Sequence, residues 1–283
     1  PFDYVMMFKI LVLQRLYNLS DAQMQFHILD RLSFMRFLSL QLNDTVPDEK
    51  TIWHFREILT KKGKIEVLFE KFRSFLMEQG VIAQSGNIVD ASFVEAPKQR
   101  NSREENEEIK NGKTPEDWRD SKKSQKDTDA KWTTKGGNRY YGYKNHIKAC
   151  KKTKLIKTYG VTDASVHDSQ ILEELLEEED SHHEIYGDAA YSGNPIKDVL
   201  DTKNIRSRIH EKGYRNKPLT EKQKAKNKKK SKVRARVEHI FGFIHNSMNG
   251  SMVRSIGKAR AEGIIGLMNL TYNMNRFIQL QRT

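Results

Sequence analysis

From Met6 to about Gly80, apolar residues recur at three- and four-residue steps, and beyond Gly80 that period stops. Ile10, Leu13, Leu16 and Tyr17, then Phe34, Phe37 and Leu38, then Ile52, Phe55 and Leu59 mark successive helical stripes. Asp21 and either Thr45 or Asp48 are expected helix starts, and Gly63 and Gly80 expected stops. Past Gly80 come β-branched and aromatic runs bounded by Gly, Asn or charges: "GNIVDASFV", "RYYGYKNHIKAC", "KLIKTYGVTDA", "EIYGDAAY" and "NIRSRIH". Such runs read as strands, the second and third paired antiparallel through the turn "KKTK". "HDSQILEELLEEED" and "NPIKDVLDTKN" read as helices before the fourth and fifth strands, and helices resume from about Lys222. The order predicts an α/β fold, a mixed sheet with flanking helices, over residues 81–283, preceded by a small all-helical domain over 1–80. Residues 95–138 are polar and poor in apolar side chains, and are expected to form a long, partly mobile insertion.

Charge is concentrated. Between Arg206 and Arg236 fourteen Lys and Arg face only Glu211 and Glu221, so nearly all of the net +13 lies there. A block of this kind is either a solvated surface or a phosphate-neutralising one, and double-stranded DNA is the favoured partner. The acidic run Glu177 to Asp180 reads as a solvated helix end without a catalytic role. The single cysteine, Cys150, excludes an intrachain disulfide and a cysteine-based zinc site, and fits a reducing, intracellular setting. No apolar run reaches the roughly 18 residues that span a bilayer, and the first residues lack the marks of a signal peptide. The chain opens on Pro1 instead of Met, so residues upstream of it are expected.

"PDEKTIWHFREILTKKG" is compatible with the second helix of a helix-turn-helix, with Lys50, Thr51, His54 and Arg56 towards DNA and Ile52, Phe55 and Leu59 buried, or with a helix that only packs. Asp90 and Asp188 each follow an apolar run, at the carboxyl edge where α/β sheets place ligands; each is alternatively a turn or helix cap. A third acid, Glu238, stands among apolar residues in "RARVEHIFG". At about 100° per residue, Val237, Ile240, Ile244 and Met248 fall within roughly 60° of Val233, while Arg234, His245 and Glu238 form one column at the edge of that stripe. Arg234 and Glu238 could form an i,i+4 ion pair, and Arg234 could orient the carboxylate. Lys144 and His146 alternate on the second strand, facing either DNA phosphate or solvent. Trp132 either stacks on a base or pins its loop. His167 and Asp168 are expected to cap the following helix. Three carboxylates reaching one sheet edge suit hard divalent cations and metal-assisted phosphoryl transfer.

Read in order, "NIVDASFV", "YGYKNHI", "VTDASVHDSQIL", "YGDAAYSG" and "RARVEHIFG" resemble the successive motifs of DDE transposases of the insertion-sequence-four and -five type. The helical N-terminal segment is similar to that group's DNA-binding region, and the resemblance covers almost the whole chain. It implies a ribonuclease-H-like catalytic domain in a DNA-associated prokaryotic cytoplasmic protein. In such a domain Asp90, Asp188 and Glu238 would be both the catalytic residues and the ligands of two Mg²⁺ ions, with Mn²⁺ a substitute. It also implies binding of element terminal repeats and target DNA, cleavage, joining of 3′ ends, and a homo-oligomer that pairs two ends. The last motif departs from the group's pattern at Ser231 and His245, where tyrosine and lysine stand in the family, which puts the DNA contacts of those positions in question. The alternatives are a non-catalytic, decayed or domesticated DNA-binding protein, or a structure-selective nuclease of the same fold.

Overall fold

The computed structural model describes residues 1–83 and 85–282. Helices α1 (Tyr4–Leu16), α2 (Asp21–Asp30), α3 (Leu32–Leu38), α4 (Glu49–Lys61) and α5 (Lys64–Glu78) come first. Ser20 and Gln23 close a reciprocal capping box ahead of α2, and Asp48 caps α4 through the Thr51 amide at 2.7 Å. Met7, Ile10, Leu11, Met24, Ile28 and Ile52 meet in the core of this bundle, as their three- and four-residue spacing requires. The connection from α3 to α4 runs over residues 39–48, longer than the roughly three- to four-residue turn of a helix-turn-helix, so α3 and α4 do not form that motif.

The sheet is built from β1 (Asn87–Glu95), β2 (Lys131–Lys135), β3 (Asn138–Cys150), β4 (Ile156–Asp163), β5 (Glu184–Tyr186) and β6 (Arg206–Ser207). β4, β3 and β1 are antiparallel neighbours, whereas β5 lies parallel to β1 and β6 parallel to β5. The strand order β4-β3-β1-β5-β6 is ribonuclease-H-like, and β2 extends the β3 hairpin beyond it. Between and after the strands lie α6 (Arg103–Lys110), α7 (Asp120–Lys123), α8 (Leu172–Leu175), α9 (Asn194–Thr202), α10 (Glu221–Arg234), α11 (Arg236–Gly242) and α12 (Lys258–Gln281). The fold is mixed α/β, with N-terminal helices followed by a mixed sheet and flanking helices.

Residues 95–138 depart from the expected mobile insertion. They hold α6, α7 and β2, and bury Ile109 and Trp118. Their anchor is Asp127, 2% exposed, whose two carboxylate oxygens accept from the Tyr143 hydroxyl at 2.8 Å, one of them also from the Gly257 amide at 3.1 Å. A polar stretch can thus be ordered by one buried acid, a signal that hydrophobic periodicity does not carry.

The acidic run is likewise not simply solvated. Asp180 is 1% exposed and pairs with Lys148 at 2.6 Å, and Glu177 meets the same ammonium at 2.7 Å and Arg73 of α5 at 2.7 Å. Lys148 projects from β3 into a region where water cannot reach it, so it requires carboxylates as partners. α12 then joins the two halves of the chain. Its Leu267 sits in the N-terminal core, while its Ala261, Ile265 and Leu270 pack with β1, β3 and Phe69 of α5.

Candidate active site

Register decides which side chains can meet. Directly opposite residues of β1 and β3 share a face, so Ile88, Asp90, Ser92 and Val94 lie with Ala149, Ile147, Asn145 and Tyr143. This face carries α11 and α12, fixed in part by a reciprocal amide pair between Asn145 and Asn269 at 2.8 and 3.0 Å. Val89, Ala91 and Phe93 share the reverse face with Lys148, His146 and Lys144.

Asp90 does not end its strand, since β1 continues to Glu95. What opens space beside it is β5, which pairs Tyr186 with Ile88 and stops there. Continuing that parallel register by two residues brings Asp188 alongside Asp90. The Asp188 carboxylate also caps the helical turn Ala189–Tyr191, accepting from the Ala190 amide at 2.8 Å. Cap and site residue are one and the same here.

The Asp90 carboxylate is held on both oxygens. Oδ1 accepts from the Ala91 amide at 2.9 Å, and Oδ2 accepts from Nη1 of Arg234 at 2.7 Å. Burial nonetheless raises its pKa to about 6, against the pull of Arg234 and the Ala91 amide, and the nearby Asp188 charge adds to the rise. Two carboxylates that feel each other's charge are a good seat for a divalent cation, because hard oxygen donors suit it and each oxygen keeps a second lone pair. Beneath them lies Tyr191, fully buried, whose hydroxyl has no described hydrogen-bond partner. Burial together with Asp90, Asp168 and Asp188 pushes this phenol well up. In the sequence, only its place three residues after Asp188 points to Tyr191.

Residues 231–248 do not form one continuous α-helix. The helix breaks at Ala235, where the Glu238 amide bonds back three residues to the Ala235 carbonyl at 3.1 Å, and Phe243–Ser247 form a wider π-helical turn. The buried stripe survives: Val237, Ile240, Ile244 and Met248 are at most 2% exposed. The edge column survives in part. Arg234 reaches Asp90, and His245 Nε2 meets Ser92 Oγ at 3.0 Å, two residues further along the same strand face. Burial lowers the His245 pKa. Glu238 is exposed and makes no ion pair with a described residue, so the expected Arg234–Glu238 pair is replaced by Arg234–Asp90. Among the described residues, no three His, Cys, Asp or Glu side chains gather closely enough to hold a metal ion together. Ser231, the other position off the family pattern, contacts His210 Nε2 at 3.3 Å.

Lys144 and His146, expected to face either DNA phosphate or solvent, do neither: both lie on the face of the sheet opposite Asp90 and are buried. Lys144 Nζ donates to Asp168 at 2.8 Å and to the Val166 carbonyl at 2.6 Å. His146 is fully buried against Thr162, and burial lowers its pKa to about 4. His167 caps the turn after it, as expected, but Asp168 is the partner of Lys144. On α4, Lys50 and His54 are exposed. Arg56 instead grips Asp21 with two hydrogen bonds at 2.6 and 2.8 Å, so its guanidinium is turned into the bundle.

Residues 83–274 match the family model described as "Transposase DDE domain". The chain belongs to that transposase family. Residues 1–57 also match the model "Transposase domain (DUF772)", so the helical segment carries a transposase signature of its own. No solved structure matches the chain. Membership implies a DNA-binding, catalytic fold of a type that uses divalent metals. Among the described residues, no helix of this transposase is long and apolar enough to cross a membrane.

Proposed function

We propose that this transposase binds the ends of a mobile element and cleaves a phosphodiester there to free a 3′ hydroxyl. It then joins that hydroxyl to target DNA at the same site. The observation that supports this reading is that β5 ends beside β1 at Ile88–Tyr186, two residues short of Asp90 and Asp188, whose charges act on each other. Asp90, Asp188 and Glu238 would hold two divalent cations, Mg²⁺ or Mn²⁺; when bound, these supply a clamp on the attacking and leaving oxygens of an in-line displacement. The two aspartates fit this role, and Glu238, exposed on α11, would have to move towards them.

The chain's own groups prepare the site. Arg234 fixes the direction of the Asp90 carboxylate and shields it from the Asp188 charge. Above about pH 6 Asp90 is ionised and able to bind a cation. His245 and Ser92 stand one strand step further on as hydrogen-bonding groups for a DNA phosphate. Residues 1–80 serve DNA binding and residues 81–283 catalysis, with Lys50 and His54 exposed on α4 and the lysines of α10 as the approach. Two copies of the chain hold the two ends.

Strand cleavage of end DNA with Mg²⁺ is the test, with Asp90→Asn, Asp188→Asn and Glu238→Gln compared at equal DNA binding. Loss of cleavage in all three is expected. Undiminished cleavage in one of them removes that residue from the site. DNA binding without cleavage by the unaltered chain supports the non-catalytic alternative, and cleavage without joined products supports a nuclease.

A further inference from the structure

A cavity of about 530 Å³ lies between α1, α4 and the segment that leads from the π-helical turn into α12. This is within the usual range for small-ligand sites, about 300–1,000 Å³. Four arginines line it, Arg15, Arg56, Arg254 and Arg260, against two carboxylates, Asp21 and Glu57. Both acids are engaged. Arg56 holds Asp21 with two hydrogen bonds, and Arg260 holds Glu57 through Nε at 2.9 Å and Nη2 at 3.0 Å.

Arg254 makes no ion pair with a described residue, and Arg15 feels only the charge of Asp21, whose carboxylate is already bonded to Arg56. Arg15 is the unusual one: its Nε is buried and bonds to nothing among the described residues. Burial, with Arg56 beside it, lowers Arg15 to about 10 against the pull of Asp21, so it is still charged at neutral pH. A half-buried guanidinium with an orphaned N–H, sharing its counter-charge with Arg56, is unfavourable, and an anion in the cavity would relieve it. Ser255 Oγ, also buried and unpartnered, lines the same space as a further donor. The other wall is apolar and includes Trp53, which is 44% exposed.

We infer that this cavity binds one nucleotide of a DNA strand, with its phosphate on Arg15, Arg254 and Ser255 and its base against Trp53. A guanidinium pair matches a phosphate, and an indole face is the general platform for a base. The back wall is joined to the strand of Asp90: the Glu95 amide donates to the Ser251 carbonyl at 2.8 Å, and the Val253 amide to the Glu95 carbonyl at 2.9 Å. Asp90 and Glu95 are five residues apart on β1, roughly 17 Å. That is about five steps of a DNA strand at 3.4 Å each. A strand with its scissile phosphate at Asp90 can therefore reach the cavity. The choice of DNA as the source of the phosphate rests on the transposase reading; the phosphate site itself does not.

The full-length protein is titrated, without divalent cation and at about 0.15 M salt, with a 5′-phosphorylated thymidine tetranucleotide and separately with inorganic phosphate. Arg15→Gln is expected to weaken the tetranucleotide by about tenfold or more, the scale of a lost charge-assisted hydrogen bond. Its melting temperature should change little, because Asp21 keeps its two bonds to Arg56. Trp53→Leu should weaken the tetranucleotide roughly tenfold and leave inorganic phosphate unchanged. Unaltered binding in both variants overturns the proposal, as does a fall in melting temperature with no effect on binding. Phosphate bound as tightly as the tetranucleotide, and indifferent to Trp53, shows a free-anion site and overturns the nucleotide assignment. Because no metal is present, these outcomes do not depend on the catalytic assignment of Asp90, Asp188 and Glu238.

Discussion

Asp90 keeps a negative charge in a place that resists it, and Arg234 is the group that makes this tolerable. The pair is largely enclosed, with side chains 14% and 26% exposed, so its loss should exceed the fraction of a kcal/mol typical of surface pairs. Arg234→Met is expected to destabilise the metal-free protein by about 1–3 kcal/mol at pH 7. The effect should shrink in an Asp90→Asn background, as a double-mutant cycle in urea would measure. His146 gives a pH signature of the opposite kind. It is held neutral by burial, so its folded pKa lies below the ordinary 6.5. The stability it confers is complete above about pH 6.5 and is lost as pH falls towards 4, because the unfolded chain then binds the extra proton. The drop in melting temperature between pH 7 and 5 should therefore be smaller in His146→Leu than in the unaltered chain. At this scale the sequence made Asp90, Asp188 and Arg234 conspicuous, through apolar runs and helical spacing. It did not disclose that Arg234 serves Asp90, 144 residues away, because periodicity describes one element at a time.

Elements fix what single residues cannot. Strand β1 presents Asp90 and Ser92 on one face, and α10 with the π-helical turn sets Arg234 and His245 over them. An unbroken helix would have given the same burial of Val237, Ile240 and Ile244 but a different direction for Glu238. That is why the stripe was legible and the third carboxylate's placement was not. Gly142 shows how tightly the neighbouring strands are drawn. Its φ is +145°, and a Cβ there would collide with the Val94 carbonyl oxygen and lie 2.6 Å from the Ala96 amide nitrogen. Gly142→Ala is expected to lower stability by about 2 kcal/mol or more, read from the urea midpoint, since backbone must move and φ is strained. β2, bounded by Gly136 and Gly137 at positive φ, escaped notice because "KWTTK" is exposed or half-exposed and has no apolar alternation to reveal it.

Two family matches, at residues 1–57 and 83–274, meet in one packed body because α12 enters both cores. Leu267→Ala removes a fully buried side chain from the N-terminal core. It is expected to cost about 2–5 kcal/mol in one transition that both halves share, followed by circular dichroism and tryptophan fluorescence together. The order of runs along the sequence foretold the sheet, whereas this docking depends on which face of α12 meets α1, α4 and α5, and a nearly all-buried helix centre does not reveal that. Charge works on the same scale. The positive excess sits on α10, which buries none of its residues, and Lys222, Lys226 and Lys229 there are exposed and make no ion pair with a described residue. Lysines that are free in the protein and neutralise phosphates in a complex release counterions, each adding about 0.9 to the slope of log K against log salt on duplex DNA. Replacing all three by Gln is therefore expected to flatten that slope by about two to three, with affinity falling most at low salt and the melting temperature unchanged. An unchanged slope would mean that DNA approaches by another face and that α10 is only a solvated helix.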